Sequence, residues 1–403
     1  MRWIIMIDLP SNVKYILDKL NENGYEAYIV GGCVRDSIMG ITPHDWDITT
    51  SAEPMDIKAF FKHTYDTGIK HGTITVLMDK VGYEVTTYRV DGIYEDNRRP
   101  KEVFFTRNLK DDLIRRDFTM NAIAYNEKDG FVDLFGGRED IDNKIIRGVG
   151  CPADRFDEDA LRMLRAVRFS SQLGFDIEEE TFEAVKDKAG LIKNISKERI
   201  REEFLKLING KFVGRIPLLW ESGLLGFVSS DADAMARAYG KEITEEITAA
   251  NSNGYARLII FLERMGHKKA ETFMKELKFD NKTMKSVISV ISNNVISDIE
   301  NAYAVKKKLN IMGTQNFELL LEVKEAQGKD VSGIRDLYES VIKNEECFMI
   351  KDLKINGNIL MENGLASGKE IGLKLNTLLD EVMKDPSLNK EDKLLLMAAE
   401  IKL

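Results

Sequence analysis

Two aspartates, Asp45 and Asp47, are the residues whose type and spacing best suit chemistry in this chain. On a β-strand, residues two apart project from the same face, so both carboxylates would point into one site while Trp46 and Ile48 point into the core. Parallel carboxylates repel each other unless a cation lies between them, and such oxygen ligands suit Mg²⁺, which shares its coordination sphere with substrate phosphates. An isolated pair of this kind is more simply explained as two solvated aspartates at a strand end.

A glycine pair before the aspartates favours the metal interpretation. Residues 28–36 have the pattern of a strand that ends in two glycines and runs into a helix, and the second glycine, Gly32, precedes Asp45 by 13 residues. Such a turn brings backbone N–H groups close to a phosphate, and Arg35 can add a charge-assisted hydrogen bond. A Gly-Gly turn alone is more often a plain turn. Joined to the aspartate pair at this distance, it indicates a site for a metal and a phosphate.

A third carboxylate is predicted on another strand. Within residues 82–89, the alternation of side chains places Glu84 and Thr86 on one strand face. If that strand lies beside the one carrying Asp45, the three acids form the cage that two-metal phosphoryl transfer uses. The competing account is an acid on the solvent side of an edge strand, and the sequence leaves both open.

The elements that must position these residues differ along the chain. In the first 150 residues, short β-type runs alternate with turns and two helical segments. We predict strands at residues 26–30, 45–50, 73–78, 83–88 and 131–133, and helices at residues 12–23 and 55–63. From Arg155 onward, helical periodicity continues almost without a strand signal. The predicted fold class is α+β, with a small N-terminal mixed-sheet head followed by a helical array.

The composition is that of an ordinary globular protein, with 43% hydrophobic and 31% charged residues. No apolar run approaches the roughly 20 residues needed to span a bilayer, so we expect a cytoplasmic protein without a membrane partner. The three cysteines, Cys33, Cys151 and Cys347, lie far apart in the sequence. They predict neither a disulfide framework nor a zinc site.

The net charge of −9 limits how this chain can bind nucleic acid. Phosphates are neutralised by Lys and Arg that face the ligand, so any RNA binding must be local. Residues 98–116 and residues 193–215 can each supply it, because each stretch holds seven basic and three acidic side chains. Plain solvated charge would explain either stretch equally well if it stood alone.

Four successive segments resemble the motifs of a known family. They are GGCVRD at residues 31–36, DWD at 45–47, RRDFTMNA at 115–122 and DRFDEDALRMLRAVRF at 154–169. In order and spacing they are similar to the class II tRNA nucleotidyltransferase and bacterial poly(A) polymerase superfamily. Beyond about residue 175 the similarity thins: residues 196–204 resemble the next family motif, and the tail around residues 356–372 resembles the bacterial CCA-adding branch.

The resemblance implies a domain organisation. It comprises a catalytic nucleotidyltransferase head, a helical neck that recognises the nucleotide base, a helical body, and a helical tail that binds tRNA. We place these at residues 1–150, 151–210, 211–330 and 331–403. The sequence makes no prediction of the oligomeric state.

The resemblance also implies site residues. Metal is implied at Asp45 and Asp47, with Mg²⁺ as the cofactor, and Glu84 and Arg116 join them as predicted catalytic residues. Nucleotide contacts are implied at Gly32, Arg35, Arg116, Asp159, Arg162, Arg165 and Arg168.

The pair of Asp159 and Arg162 has a physical reason to select nucleotides. Adenine and cytosine present an exocyclic amino donor beside a ring-nitrogen acceptor, whereas guanine and uracil present the reverse order. A carboxylate and a guanidinium three residues apart on one predicted helix face match the first order. One protein pair can thus accept CTP and ATP and reject GTP and UTP. Arg165 and Arg168 continue along the same helix, over about a nucleotide's length.

Residues 91–100 are polar, contain a glycine and end in a proline. They resemble the flexible loop that in CCA-adding enzymes helps to switch from C to A addition, and that CC-adding relatives are thought to lack. The loop therefore favours the full activity.

The predicted function is template-independent addition of C, C and A to the 3′ end of tRNA from CTP and ATP, by two-metal phosphoryl transfer with release of pyrophosphate. Within this class, the alternatives are a poly(A) polymerase or a tRNA nucleotidyltransferase that adds only A or only CC. A catalytically silent tRNA-binding or nucleotide-sensing protein is the alternative of another class, and the intact Asp45 and Asp47 disfavour it. A small-molecule nucleotidyltransferase would leave some 200 helical residues without a role.

Overall fold

The structure is a computed structural model that describes residues 6–92, 94–95, 99–100, 102–251 and 254–401, with the backbone alone at residues 94–95 and 99–100. The chain divides into two compact units, Met1–Gly240 and Lys241–Leu403. The predicted division into four domains stays a prediction.

All strands of the described residues lie in the first unit. They are β1 (Ala27–Val30), β2 (Ile48–Thr50), β3 (Thr64–Gly68), β4 (Thr73–Met78), β5 (Val81–Thr87), β6 (Arg89–Asp91), β7 (Tyr94–Glu95), β8 (Arg99–Pro100), β9 (Val103–Phe105), β10 (Ile123–Asn126), β11 (Gly130–Asp133), β12 (Ile145–Ile146) and β13 (Asp176–Ile177). Seven of them form one sheet in the order β11-β10-β1-β2-β5-β4-β3. Neighbouring strands in it are antiparallel except β2 and β5, which run parallel, so the sheet is mixed as predicted.

Both faces of the central strands are covered. All four residues of β1 are buried, and alternate residues enter different clusters. Ile29 belongs to the larger hydrophobic core, whereas Tyr28 and Val30 belong to a smaller cluster on the other face. Since successive side chains of a strand point to opposite faces, this continuous apolar run is what a doubly covered strand requires.

Helices surround the sheet and continue after it. Those of the first unit are α1 (Ser11–Glu22), α2 (Gly32–Ile38), α3 (Pro54–Phe60), α4 (Leu109–Ile114), α5 (Gly137–Asn143), α6 (Pro152–Glu158), α7 (Leu161–Leu173), α8 (Glu179–Lys188), α9 (Lys197–Ile208), α10 (Leu218–Glu221) and α11 (Leu224–Val228). The next helix, α12 (Ser230–Ala249), crosses into the second unit and is kinked at Tyr239. Helices α7 and α9 are tied together by the Ser171 hydroxyl, which donates to the Leu207 carbonyl at 2.7 Å.

The second unit is helical throughout its described part. Its helices are α13 (Ala256–Glu263), α14 (His267–Glu276), α15 (Asn281–Ser292), α16 (Ala302–Ala326), α17 (Ser332–Lys343), α18 (Gly357–Glu362), α19 (Lys369–Lys384) and α20 (Glu391–Glu400). Side chains of Asp280, Asn301 and Asn356 accept backbone N–H bonds at the starts of α15, α16 and α18, as N-caps do. Within the described residues, no helix is both long enough and apolar enough to cross a membrane.

The structure confirms the α+β class and corrects several element predictions. The strand predicted at residues 45–50 begins only at Ile48, and the helix predicted at residues 55–63 is Pro54–Phe60. β3 and β10 were not predicted. The neck is not wholly helical, because β13 pairs in parallel with β12.

Candidate active site

Asp45 and Asp47 lie in the extended stretch that leads into β2. Trp46 between them packs against the main core and Ile48 is buried, so both exposed aspartates face the other way. The Asp47 carbonyl accepts a hydrogen bond of 3.0 Å from the Val30 N–H, which holds this stretch beside the end of β1. The predicted alternation is therefore correct, although it operates just before the strand.

The two carboxylates lack a cationic partner that neutralises them. Neither Asp45 nor Asp47 forms a salt bridge to any described residue. Asp47 keeps access to solvent, yet enough protein surrounds its carboxylate that partial desolvation raises its pKa; the charge of Arg116 opposes this rise and the charge of Asp45 adds to it. Paired carboxylate oxygens with unmet negative charge are a donor set that fits Mg²⁺.

Glu84 lies next to this pair. Ile48 of β2 lies opposite Val85 of β5, and the two strands run parallel. The residues that precede them, Asp47 and Glu84, are therefore neighbours. Partial desolvation and the charges of Asp47 and Asp45 raise the pKa of Glu84. In the part of the chain that the structure describes, however, no three Asp, Glu, His or Cys side chains are close enough to hold a metal ion. The structure brings Glu84 to the site without forming a three-ligand cage.

The first residue of the glycine turn, Gly31, has a backbone conformation that favours glycine. Gly31 has φ 81° and ψ −132°, a conformation that residues with a Cβ avoid. A Cβ at this position would lie 3.2 Å from Nη1 of Arg116. At Gly32, a Cβ would meet its nearest neighbour, Nη2 of Arg35, at an ordinary 3.7 Å. The sequence predicts a role for Gly32, whereas the glycine that the turn conformation requires is Gly31.

Arg116 is anchored by a buried carboxylate that sequence reasoning also missed. Asp112 accepts from Arg116 at 3.1 Å, from Arg115 at 2.5 Å and from the Thr49 hydroxyl at 3.2 Å. Burial alone would raise the pKa of Asp112, but the charges of Arg116 and Arg115 outweigh it and lower that pKa. Nε of Arg116 is buried and has no hydrogen-bond partner among the described residues. The charge of Arg116 also acts on Asp47, where it opposes the rise in pKa.

Three of the predicted nucleotide-binding arginines gather around the buried Phe169 ring. The guanidinium carbons of Arg35, Arg165 and Arg168 lie 5.2, 5.3 and 3.7 Å from the ring centroid. Arg35 comes from α2, immediately after the glycine turn, and the other two come from α7. Three guanidinium groups held together in this way suit an anion with several oxygens, such as a triphosphate.

Buried acids hold two of these arginines. Asp117 accepts from Arg165 at 2.8 and 2.6 Å, and Glu203 of α9 pairs with Arg168 at 2.6 Å. Burial opposes ionisation of Asp117, yet Arg165 and a hydrogen bond from Asn121 hold its pKa far below the usual range. Burial also lowers the pKa of Arg168 to about 10, against the opposing charge of Glu203.

The predicted geometry of Asp159 and Arg162 is wrong. α6 ends at Glu158 and α7 begins at Leu161, so Asp159 lies in a break between helices, with φ −138° and ψ 101°, and shares no helix face with Arg162. The Asp159 carboxylate accepts from the Leu161 N–H at 3.1 Å. A short acidic side chain that caps the next helix favours such a break.

Asp159 and Arg162 each have other partners. Arg199 of α9 donates to both oxygens of Asp159, at 2.8 and 3.3 Å. Arg162 donates to Glu158 at 2.6 Å and to the Arg115 carbonyl at 2.6 Å. Arg199 lies in the segment of residues 196–204 that resembled a family motif, which was the available signal for its role.

Comparisons with known proteins agree with this arrangement. Three family models match in succession: the poly A polymerase head domain at residues 27–147, the probable RNA and SrmB-binding site of polymerase A at residues 174–235, and tRNA nucleotidyltransferase domain 2 at residues 249–398. The CCA-adding enzyme of Lactobacillus johnsonii is 38% identical over 382 residues, which cover 93% of this chain and 94% of that protein. The CCA-adding enzyme of Streptococcus suis is 37% identical over 395 residues, covering 94% and 92%. The chain belongs to the CCA-adding enzyme family.

A solved member of the CCA-adding family has the same fold. The crystal structure of the Bacillus stearothermophilus CCA-adding enzyme in complex with CTP matches 96% of this chain and 95% of its own, with a TM-score of 0.81 and 33% identity. The Thermotoga maritima CCA-adding enzyme, at 23% identity and a TM-score of 0.67, supports the fold as well. The family resemblance and fold class predicted from the sequence are thereby confirmed.

The loop predicted to switch CCA-adding enzymes from C to A addition is only partly described. β7 and β8 pair within it, and β6 and β9 pair at its base, but residues 93, 96–98 and 101 lie outside the described residues. At that base, Asp91 pairs with Arg89 at 3.0 Å and with Arg115 at 3.9 Å. The switching role stays a prediction.

Several arginines of the two basic stretches form ion pairs with acids of the same unit. Part of residues 98–116 lies outside the described residues, and Arg115 and Arg116 of that stretch pair with Asp112. In residues 193–215, Arg199 pairs with an acid of its own unit, and Arg215 does so with Asp176. Any RNA contact there would use the remaining basic side chains.

Proposed function

We propose that this member of the CCA-adding family adds C, C and A to the 3′ end of tRNA, taking the nucleotides from CTP and ATP. The observation that carries the proposal is the meeting of two carboxylates without a salt bridge, Asp45 and Asp47, with a partly exposed arginine, Arg116, whose charge acts on Asp47. Carboxylates without a cation suit a metal, and arginine donors suit phosphate oxygens. The names of the relatives, and the CTP complex of the Bacillus stearothermophilus enzyme, support this choice of substrates.

Asp45 and Asp47 would hold Mg²⁺. When bound, the metal makes the attacking hydroxyl more nucleophilic and neutralises charge on the departing phosphates. The bond that forms joins the RNA 3′ oxygen to the α-phosphorus of the nucleotide. The bond that breaks joins the α-phosphorus to the bridging oxygen, which leaves with pyrophosphate. No covalent intermediate with the protein is needed.

The arginines bind and orient the triphosphate in this proposal. Nη1 of Arg116 lies against Gly31 of the glycine turn, and the charge of Arg116 acts on Asp47, so its partly exposed guanidinium can donate to a phosphate oxygen near the reacting centre. Arg35, Arg165 and Arg168 surround one buried ring and would hold the outer phosphates. Their buried acid partners fix the positions of Arg165 and Arg168 before the nucleotide arrives.

Asp159 and Arg162 would read the base. Asp159 accepts from the exocyclic amino group of cytosine or adenine, and Arg162 donates to the ring nitrogen beside it. A carboxylate has about four acceptor positions, so Asp159 can accept a base amino group while it stays bound to Arg199. Arg162 must redirect one N–H from Glu158 or from a backbone carbonyl toward the base.

The helical part after the head would bind the tRNA by shape and phosphate contacts. The match to a tRNA nucleotidyltransferase domain at residues 249–398 supports this role for the second unit. Residues 193–215 are a candidate surface within the first unit. We place this activity in the cytoplasm.

A poly(A) polymerase is the second candidate, favoured by one observation: the matching head model describes a poly A polymerase head domain. The deciding experiment offers the purified protein and Mg²⁺ a tRNA that lacks CCA, with CTP, ATP or both. Two additions with CTP and one more when ATP is also present are the expected result. A long A tract with ATP alone would overturn the proposal in favour of a poly(A) polymerase, and additions that stop at CC, or only A added to a CC end, would favour a CC-adding or A-adding enzyme.

A further inference from the structure

Helix α9 contacts both ends of the proposed nucleotide site from one face. Arg199 and Glu203 are four residues apart on it, so their side chains lie on the same side, one turn apart. Arg199 binds Asp159, at the base-reading end. Glu203, which is buried, binds Arg168, at the triphosphate end. The two contacts share no side chain, and this separates their expected effects.

The orientation of the Asp159 carboxylate depends on Arg199. Asp159 lies in the break between α6 and α7, where no helix of its own fixes the side chain. Among the described residues, its carboxylate accepts from the Leu161 N–H at 3.1 Å and from Arg199 at 2.8 and 3.3 Å. The Leu161 bond reaches only Oδ1. Arg199 alone engages both oxygens, and a two-pronged guanidinium contact fixes the plane of a carboxylate.

We propose that Arg199 is a positioning residue for nucleobase selection, which acts by holding the Asp159 carboxylate in the plane where it meets the base amino group. The inference rests on the proposed function and extends it to a residue that does not itself touch the base. A base that presents a keto oxygen in place of an amino group puts an acceptor against the fixed carboxylate and is rejected. Without Arg199, the carboxylate can turn away from that oxygen, and the penalty against UTP and GTP falls.

The choice of arginine follows from the geometry. The fork of a guanidinium matches the two oxygens of a carboxylate, whereas a lysine ammonium offers a point charge without that match. Arg199→Lys should therefore keep part of the selectivity that Arg199→Ala loses. A residue that only supported the fold would show no such order in selectivity.

The experiment measures kcat/KM for CTP and UTP on a tRNA lacking CCA, and for ATP and GTP on a tRNA ending in CC. We expect Arg199→Ala to lower the CTP-to-UTP and ATP-to-GTP ratios about 10-fold, the scale of one lost hydrogen bond to a charged group. Arg199→Lys should lie between this variant and the wild type. Glu203→Gln should instead raise KM for all four nucleotides and leave the ratios unchanged. Arg237→Ala, which removes an exposed ion pair with Asp233, is the matched control and should change neither quantity.

A double variant tests whether Arg199 acts through Asp159. If it does, Asp159→Ala with Arg199→Ala should discriminate no worse than Asp159→Ala alone. Additive losses, or an Arg199→Ala enzyme that is slower with all four nucleotides at unchanged ratios, would overturn the inference. If Arg199→Ala fails to fold, the ratios of Arg199→Lys decide. A wild-type protein that incorporates neither CTP nor ATP would reject the proposed function itself, a result distinct from an active enzyme with unchanged ratios.

Discussion

Arg165 donates two hydrogen bonds, of 2.8 and 2.6 Å, to one oxygen of Asp117. The other oxygen of Asp117 accepts from the Asn121 amide at 3.1 Å, and the Asn121 carbonyl oxygen accepts from Arg35 at 2.7 Å. A continuous polar chain thus runs from α2, the helix after the glycine turn, to α7. Asp117 and Asn121, which are hydrogen-bonded to each other, thus hold Arg165 and Arg35 in position, and both arginines are proposed to bind the triphosphate.

Asp117→Asn should destabilise the protein at neutral pH. The substitution removes the negative charge that acts most strongly on Arg165, and losing one partner of a buried pair costs about 3 kcal/mol or more. We expect the midpoint of thermal unfolding at about pH 7 to fall, and KM for CTP to rise because Arg165 is no longer held. The matched control is Asp66→Asn, which removes an exposed pair with Lys58.

The loss of stability caused by Asp117→Asn should depend on pH. The pKa of Asp117 is lowered in the folded protein, so its stabilising contribution is present above its ordinary pKa of about 4 and is lost as pH falls through the lower folded value. The difference in unfolding midpoint between wild type and variant should therefore shrink at about pH 3. A difference that stays constant over this range would contradict the electrostatic account.

Asp47→Asn should abolish nucleotide incorporation while the protein stays folded and still binds tRNA. The change removes one of two carboxylates proposed to hold Mg²⁺ and leaves a side chain of the same shape. We expect a loss of at least about 10²-fold in kcat, the scale for removing one electrostatic contact at a reacting centre. Incorporation assays, a thermal melt and a tRNA-binding assay measure the three properties. Retained incorporation would reject the metal assignment.

The sequence predicted those parts of the site that depend on local periodicity. The alternation around Asp45 and Asp47 holds because period two is a property of any extended chain, even though the strand itself begins at Ile48. The predicted shared helix face of Asp159 and Arg162 is wrong because a spacing of three residues indicates a shared face only within an unbroken helix. Asp159, in the break, is bound by Arg199. These two residues are 40 positions apart, so no local sequence pattern reveals their contact.

The buried acids were also beyond local reasoning. Asp112, Asp117 and Glu203 are charged residues that pattern analysis assigns to the surface, yet all three are buried against arginines. Their burial is tolerated because each carboxylate meets a guanidinium, and that fact is visible only once α4, α7 and α9 are assembled. The arginines themselves were found from motif spacing, but the acids that fix them were not.

The two glycines of the turn should respond differently to alanine. Gly31→Ala places a Cβ at φ 81° and 3.2 Å from Arg116, so we expect it to cost about 1–3 kcal/mol of stability and to lower incorporation. Gly32→Ala meets only an ordinary contact at 3.7 Å and should fold like the wild type. Thermal melts and incorporation rates of both variants test the assignment. Equal losses of stability would show that the backbone conformation at Gly31 is not the cause.

Asp45→Asn should stabilise the metal-free protein while it removes activity. The raised pKa values of Asp47 and Glu84 mean that the folded state holds protons more tightly than the unfolded state, so the stability from these groups is present at low pH and lost as pH rises through their folded values. At about pH 7, without metal, the charge of Asp45 acts unfavourably on Asp47 and Glu84, as its contribution to their raised pKa values indicates. Removing the charge of Asp45 should then raise the unfolding midpoint by about 1–4 °C, within the scale of a 1 kcal/mol change.

The same variant should lose this advantage in two ways. As pH falls through the raised folded pKa values of Asp47 and Glu84, these two carboxyls take up protons and their repulsion by Asp45 disappears, so the two midpoints should converge. In excess Mg²⁺ only the wild type gains from binding, because a ligand stabilises the state that binds it. The wild type should therefore equal or exceed Asp45→Asn when Mg²⁺ is present and fall below it when a chelator is present. A variant that melts below the wild type in chelator at about pH 7 would show that Asp45 supports the fold and that its charge is not in conflict with Asp47.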